Sequence, residues 1–245
     1  MRASSRNGGS VRGRQLRKHL AAVALAAGMS TPATSQSPPA SPPPAPAELR
    51  GRLQLIEASG SRVPARDTVV WIDGVAAGRA PAPTVTSREE RFDPHVVAVS
   101  RGLPVAFPNV DHIFHNVFSR SPGNEFDLGL YRKGAQRTFR FAAPGLVRVY
   151  CNIHPQMAGY VMVLEDAVHA VTAEDGAFRL RVPPGRRRLK VWNEKAGEKE
   201  FVLDLGVGEV KAWSAELDGS RYRRVPHKNK HGKDYPPVTR DVDRY

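Results

Sequence analysis

Cys151 is the only cysteine in 245 residues, and His154 and Met157 follow it at steps of three within Tyr150-Cys151-Asn152-Ile153-His154-Pro155-Gln156-Met157. A thiolate, an imidazole and a thioether are donors that select copper, and a weak axial methionine belongs to the trigonal two-histidine, one-cysteine site. Zinc would accept the thiolate and the imidazoles but has no use for the thioether. Residues three apart on a strand face opposite sides. Pro155 and Gly159, beside a β-like run, argue against a helix. The segment is therefore expected to be a tight loop after a strand, aiming all three side chains at one point. The second imidazole must come from elsewhere, with His95, His112, His115 and His169 as candidates. His112 and His115 are three apart, so only one of them can face the site from an extended segment. Asn116 favours His115, because a side-chain amide beside a ligand can donate to the sulfur. His95, at the start of an apolar strand, reads as structural.

The elements that must position these residues are short strands. His95 to Val99, Pro104 to Phe107, His115 to Phe118, Arg137 to Phe141, Leu146 to Tyr150 and Tyr160 to Leu164 are punctuated by Gly and Pro, the pattern of a sandwich. Upstream, Leu49 to Ile56 and the β-branched run Thr68 to Ile72 read as two more strands, and residues 76–90 as a loop crossing to a new unit. Downstream, Glu174-Asp175-Gly176 between Ala170–Thr172 and Phe178–Val182 predicts a hairpin. Arg186-Arg187-Arg188 is expected on an edge strand kept soluble by its charge. Residues 36–47 form a Pro-rich linker. Residues 219–245, basic and without periodicity, are expected to be disordered, with His227 and His231 facing solvent.

The net charge of +13 is concentrated at the ends. Arg2, Arg6, Arg12, Arg14, Arg17 and Lys18 carry six of these charges, and residues 220–245 carry a net five, leaving two for the whole body. A nucleic-acid partner, which needs a basic patch on the fold, is not expected. The N-terminal basic run leads into an apolar stretch from Leu20 to Met29 and then small residues. This predicts a secretory signal peptide over 1–35 and a periplasmic or otherwise exported protein, with no transmembrane segment after its removal. A lone cysteine in an oxidising compartment has no intrachain disulfide partner, leaving a buried thiol, an intermolecular bridge or a metal thiolate.

Phe107-Pro108-Asn109-Val110-Asp111, His115-Asn116-Val117 and Cys151 to Gly159 resemble the cupredoxins, and the short Cys-x-x-His-x-x-Met loop is most similar to the amicyanin and plastocyanin branch. The resemblance covers about residues 92–165. It implies a Greek-key sandwich (here 91–166) holding one type 1 copper through His115, Cys151, His154 and axial Met157, with Asn116 beside the site. His154, with Pro155 and Ala158 around it, would be the electron exit. The stretches Val171 to Phe178 and Val182 to Gly185 resemble the carboxypeptidase regulatory-like, or transthyretin-like, domains. That implies a second small β-sandwich, discontinuous over 48–76 plus 167–218, in an all-β chain. The combination also resembles bacterial proteins labelled methylamine-utilisation proteins.

The expected function is one-electron transfer with an unidentified periplasmic redox protein. The alternatives are a periplasmic copper chaperone or store, and a structural β-sandwich module with a non-redox metal site. An enzyme is not expected, because four protein ligands leave no open coordination position.

Overall fold

The computed structural model describes residues 43–75 and 81–236, so the expected signal segment lies outside the described residues. The fold is all-β, with no helix among the described residues. None of the described segments is a helix long and apolar enough to cross a membrane. Three strands come first: β1 (Ala47–Ile56), β2 (Arg62–Pro64) and β3 (Val69–Asp73). Nine follow: β4 (Thr86–Arg88), β5 (Arg91–Asp93), β6 (Val96–Ser100), β7 (Pro104–Pro108), β8 (His115–Ser121), β9 (Asn124–Tyr131), β10 (Gln136–Arg140), β11 (Gly145–Tyr150) and β12 (Ala158–Leu164). The last five are β13 (Ala167–Val171), β14 (Ala177–Val182), β15 (Gly185–Asn193), β16 (Gly197–Leu205) and β17 (Val210–Asp218).

Two sandwiches result. In one, a sheet of order β14-β1-β17, with β2 against β1, packs on a sheet of order β13-β3-β15-β16. Their shared core contains Leu49, Leu53, Val70, Ile72, Leu189 and Val191. The chain leaves this sandwich after β3 and returns to it at β13. In the other, β6-β12-β11-β8-β9 packs on β10-β7 through a core that includes Val97, Phe107, Val117, Phe141, Val149 and Val161. Val85 is buried in that core and β4 is laddered to β5, so residues 85–90 of the segment read as a crossing loop already belong to the second sandwich.

Burial explains the sequence patterns. β1 alternates strictly, with Leu49, Leu53 and Leu55 inward and Arg50, Arg52 and Gln54 outward, as a sheet with one wet face requires. Gly51 sits opposite Phe178, and a Cβ there would lie 2.1 Å from the Phe178 ring. β3 is apolar without alternation because both of its faces are covered. Val70 and Ile72 enter the first core, whereas Val69 and Trp71 pack with Trp192 against Val96, Met162 and Leu164 of the second sandwich. The main chain of β3 bonds only to β13 and β15.

Three expectations are corrected. β13 and β14 do not form a hairpin: they lie in different sheets, paired to β3 and β1 respectively. The turn at Gly176 takes the chain round a corner, and its carbonyl accepts from the Leu53 amide of β1 at 2.9 Å. Arg186 to Arg188 lie on β15, which is interior rather than an edge strand, but β3 meets it only at Lys190 to Trp192, so the arginines occupy the stretch of an interior strand that is paired to β16 alone. The tail from 219 to 236 is placed against the second sandwich by specific side-chain bonds rather than by strand pairing, which is why it carries no periodic signal.

Glu194, just after β15, ties these parts together. It accepts from Tyr160 Oη of β12 (2.9 Å) and Tyr222 Oη of the tail (2.6 Å), and pairs with His95 Nε2 at 2.7 Å. Burial opposes its charge but is outweighed by these donors, His95 foremost, and its carboxyl is held down to about 2. His95 moves the other way: burial disfavours its charge, yet the bond to Glu194 and the negative charges of Glu194 and Asp67 raise it above its ordinary 6.5. The His95 contribution is complete below 6.5 and fades as pH rises through its raised value. The Glu194 contribution is complete above the ordinary 4.5 and fades as pH falls toward about 2. Both act together only between these limits. The thermal midpoint of the metal-free protein should therefore fall as pH is raised above neutrality. The decline is expected to be about 2–4 °C for a contribution of about 1 kcal/mol, a modest value because water reaches both side chains. Glu194→Gln should flatten that part of the profile, and an unchanged slope in the variant would rule the pair out as its cause.

Candidate metal centre

The loop joining β11 to β12 is closed at its base by the pairing of Tyr150 with Ala158, leaving residues 151–157 to span the gap. Two main-chain bonds turn it: the Cys151 amide donates to the Met157 carbonyl (3.2 Å) and the Met157 amide to the His154 carbonyl (3.0 Å). Cys151 and Met157 thereby both enter the core of the second sandwich, 0% and 1% exposed, while His154 stays half-buried. His115, the first residue of β8, is 0% exposed.

Donor atoms of His115, Cys151 and His154 all lie within 4.8 Å of one another. His115 Nδ1 is 3.1 Å from His154 Nδ1, and Cys151 Sγ is 3.6 Å from His154 Nδ1. Met157 shares the apolar cluster of Cys151. The three other candidate histidines are engaged elsewhere. His112 is exposed beside Lys133, His169 lies on β13 of the first sandwich, and His95 faces Glu194.

The other ring nitrogen of His115, Nε2, is 2.8 Å from Asp111 Oδ2. With the proton on Nε2, the Nδ1 lone pair is left facing His154 and the sulfur. Asp111 is fixed in turn, because its two oxygens accept the amides of Glu89 (2.7 Å) and Glu90 (3.0 Å). Burial would raise the Asp111 carboxyl, but the amides of Glu90 and Glu89 and the His115 ring outweigh it and hold the group below its ordinary value. His154 is lowered by burial first and by the neighbouring His115 charge second, which favours a neutral, metal-accepting imidazole. Burial pushes the Cys151 thiol up, and the main-chain amides of Asn116, Ile153 and His154 oppose this without winning. A metal taken up here would displace the thiol proton.

Asn116 acts differently from the sequence expectation. Its side-chain amide donates to Asp127 Oδ1 (2.6 Å) and the Gly129 carbonyl (3.0 Å), away from the sulfur. The main-chain N–H of Asn116 is the one that serves Cys151. The reason is register: His115 faces inward, so its neighbour's side chain on the same strand cannot share that side. Pro155 and Ala158 are half-buried. The segments bearing the ligands also expose apolar side chains, including Ile113, Phe114 (46%) and Ile153 (42%), with Leu130 on β9 opposite Asn116. Sequence reasoning missed the role of Asp111, although its four-residue offset from His115 was in view.

The donor set fits copper. It offers two imidazole nitrogens and a thiol in one small volume with a thioether buried in the same cluster, and the Asp111 carboxylate is already committed to His115.

No protein-family model and no curated protein sequence matches the chain. Among solved structures, a copper-containing nitrite reductase from Thermus scotoductus SA-01 is 25% identical over 38% of this chain, with a TM-score of 0.33. The aligned part spans about a quarter (24%) of that reductase. The reduced P94F mutant of amicyanin is 24% identical, covering 34% of this chain and 82% of its own, with a TM-score of 0.32. A purple cupredoxin from Nitrosopumilus maritimus is 21% identical, covering 34% and 100%, with a TM-score of 0.30. Likenesses at these TM-scores decide nothing about function.

Asp111→Asn should leave His115 without its fixed carboxylate partner. Metal affinity, measured by competition with a chelator, is expected to fall about 10- to 100-fold. Unchanged affinity would show that the contact does not orient the ring.

Proposed function

We propose that the chain is an exported type 1 copper protein that carries single electrons. The observation that carries this is the convergence of His115 Nδ1, His154 Nδ1 and Cys151 Sγ at the core end of a β-sandwich, with Met157 buried beside them. His115, Cys151, His154 and Met157 would hold the ion. Copper bound there would supply a one-electron couple. The chain's part is to fix the donors so that neither oxidation state requires them to move. The 0% exposure of His115 and Cys151 keeps water out. Asp111 holds the His115 tautomer, and three main-chain amides favour the Cys151 thiolate once its proton is displaced.

The half-buried His154, with Pro155 and Ala158 around it, is the electron exit in this proposal. The exposed side chains of Phe114 and Ile153 provide an apolar surface for a redox partner in the same exported compartment. With all four donors committed, no position remains for a substrate, so the protein is proposed as a carrier rather than an enzyme. The first sandwich, residues 48–76 plus 167–218, is proposed as a carboxypeptidase regulatory-like domain into which the copper sandwich, 91–166, is inserted. A copper store or chaperone would use the same ligands, but two donors without solvent exposure favour retention over hand-over.

The copper(II)-loaded protein should show an intense visible thiolate-to-copper charge-transfer band that disappears in Cys151→Ser. It should also be reduced and reoxidised without losing the metal. A colourless copper(II) complex would sink the type 1 site, and ready loss of copper(I) to an acceptor on reduction would favour the chaperone.

A further inference from the structure

The basic segment beyond β17 follows the ligand loop from one end to the other. Tyr235 Oη donates to the carbonyl of Cys151 at 2.7 Å. The main-chain amide of Lys230 donates to Asn152 Oδ1 at 3.0 Å, and the guanidinium of Arg224 to the Gln156 carbonyl at 3.3 Å. The His227 ring stacks on Tyr150, with centroids 3.9 Å apart and planes 19° from parallel, and the Tyr235 ring meets His227 edge-on at 5.2 Å. So Tyr150, Cys151, Asn152 and Gln156 each have a partner in this segment. The segment is itself anchored at three points. Tyr222 is bonded to Glu194, and Lys230 Nζ is 2.7 Å from Asp127 Oδ2, the carboxylate whose other oxygen holds Asn116. Arg120 donates to the Lys230 carbonyl at 2.6 Å.

None of these bonds involves a ring nitrogen of His115 or His154, or either sulfur. They hold the main chain and the flanking side chains of a loop that has only two main-chain bonds of its own, Cys151 to Met157 and Met157 to His154. Connecting loops are the elements that open first in a folded protein, and a ligand set is only as precise as the main chain beneath it. We propose that residues 222–235 form a clasp that fixes the ligand loop, with Tyr235 and His227 as positioning residues that slow loss of the metal. The proposal rests on the copper reading only for the metal, since the clasp itself is a property of the polypeptide. It also gives the basic tail a function that needs no nucleic acid: the Lys230 ammonium is spent on Asp127, and the Arg224 guanidinium donates to the loop.

The test uses the full chain with Tyr235→Phe, His227→Ala and the double substitution. In the metal-free protein, hydrogen exchange of the amides from Asn152 to Met157 should accelerate on the order of fivefold per lost contact, and tenfold or more in the double variant. Amides in β15 and β16 should exchange as before. In the copper(I)-loaded protein, transfer to an excess of a copper(I) chelator should accelerate in the same order of variants. His227→Phe, which keeps the stacked ring, should return both rates to near native. Native exchange rates throughout 152–157 in the double variant would overturn the clasp. The exchange measurement needs no metal, so it decides the clasp even if copper fails to bind, a result that would sink only the functional reading.

Discussion

The constraint on which the site depends is the seven-residue bridge from Cys151 to Met157 between two adjacent antiparallel strands. It must deliver a thiol, an imidazole and a thioether to one end of a hydrophobic core while making only two main-chain bonds of its own. A free loop with so few bonds would be among the most easily opened parts of a fold. The surroundings offset this from three sides. β8 brings a fully buried imidazole from below, three main-chain amides meet the sulfur, and the C-terminal segment bonds to the loop's outer side. A thiol buried this deeply resists ionisation, so the pocket favours the protonated thiol until a metal ion replaces the proton.

The two sandwiches share more than a linker. The sheet containing β3 and β15 is covered on both faces, by its own partner sheet and by β6 and β12 of the second sandwich. Strand β12 is the same strand that the ligand loop enters. Its residues alternate between the core of the site's sandwich, with Val161 and Val163, and the cluster that joins the two sandwiches, with Met162 and Leu164 against Trp71 and Trp192. Any tilt of β12 would disturb that core and the junction at once. Glu194 adds a polar counterpart at the same junction by engaging Tyr160 of β12 and Tyr222 of the tail.

How much of this was legible in the sequence follows from how local each signal is. Short β-branched runs between Gly and Pro announce strands wherever they occur, and the all-β character was readable from them. The β-branched run at Thr68 to Ile72 announced a strand, but the cover on both of its faces comes from segments distant in sequence. Strand alternation allowed only one of His112 and His115 to face the site, and the preference for His115 rested on the Asn116 side-chain amide, which the structure turns away from the sulfur while placing His112 on the surface. Alternation also shows why Asn116 could not turn its side chain to the sulfur, a consequence the motif alone concealed. The turn at Gly176 looked like a hairpin because Asp-Gly between strands fits one. The decision lay with Leu53, more than a hundred residues away, whose amide takes the Gly176 carbonyl. The C-terminal segment gave no periodic signal because its contacts are single bonds and one stacked ring, which leave no pattern in composition.

Asp111 shows the same limit in its sharpest form, and what it adds to the site is rigidity. Glu89 and Glu90, which join β4 to β5, have φ of 50° and 54°, a left-handed geometry that β-carbons disfavour. Two such residues in succession make the tight turn whose twist suits a two-residue hairpin, usually at glycine or asparagine. Here the turn is sustained because both amides point at one carboxylate, and that carboxylate faces His115. Its lone pairs are committed to three donors, so it cannot swing toward water when the charge on the imidazole changes. A fixed counter-charge at a buried imidazole costs no reorganisation at the moment charge moves, which suits the electron-carrying role proposed above. The strain of the turn and the orientation of the ligand are thus two ends of one hydrogen-bonded chain, drawn from segments that look unrelated along the sequence.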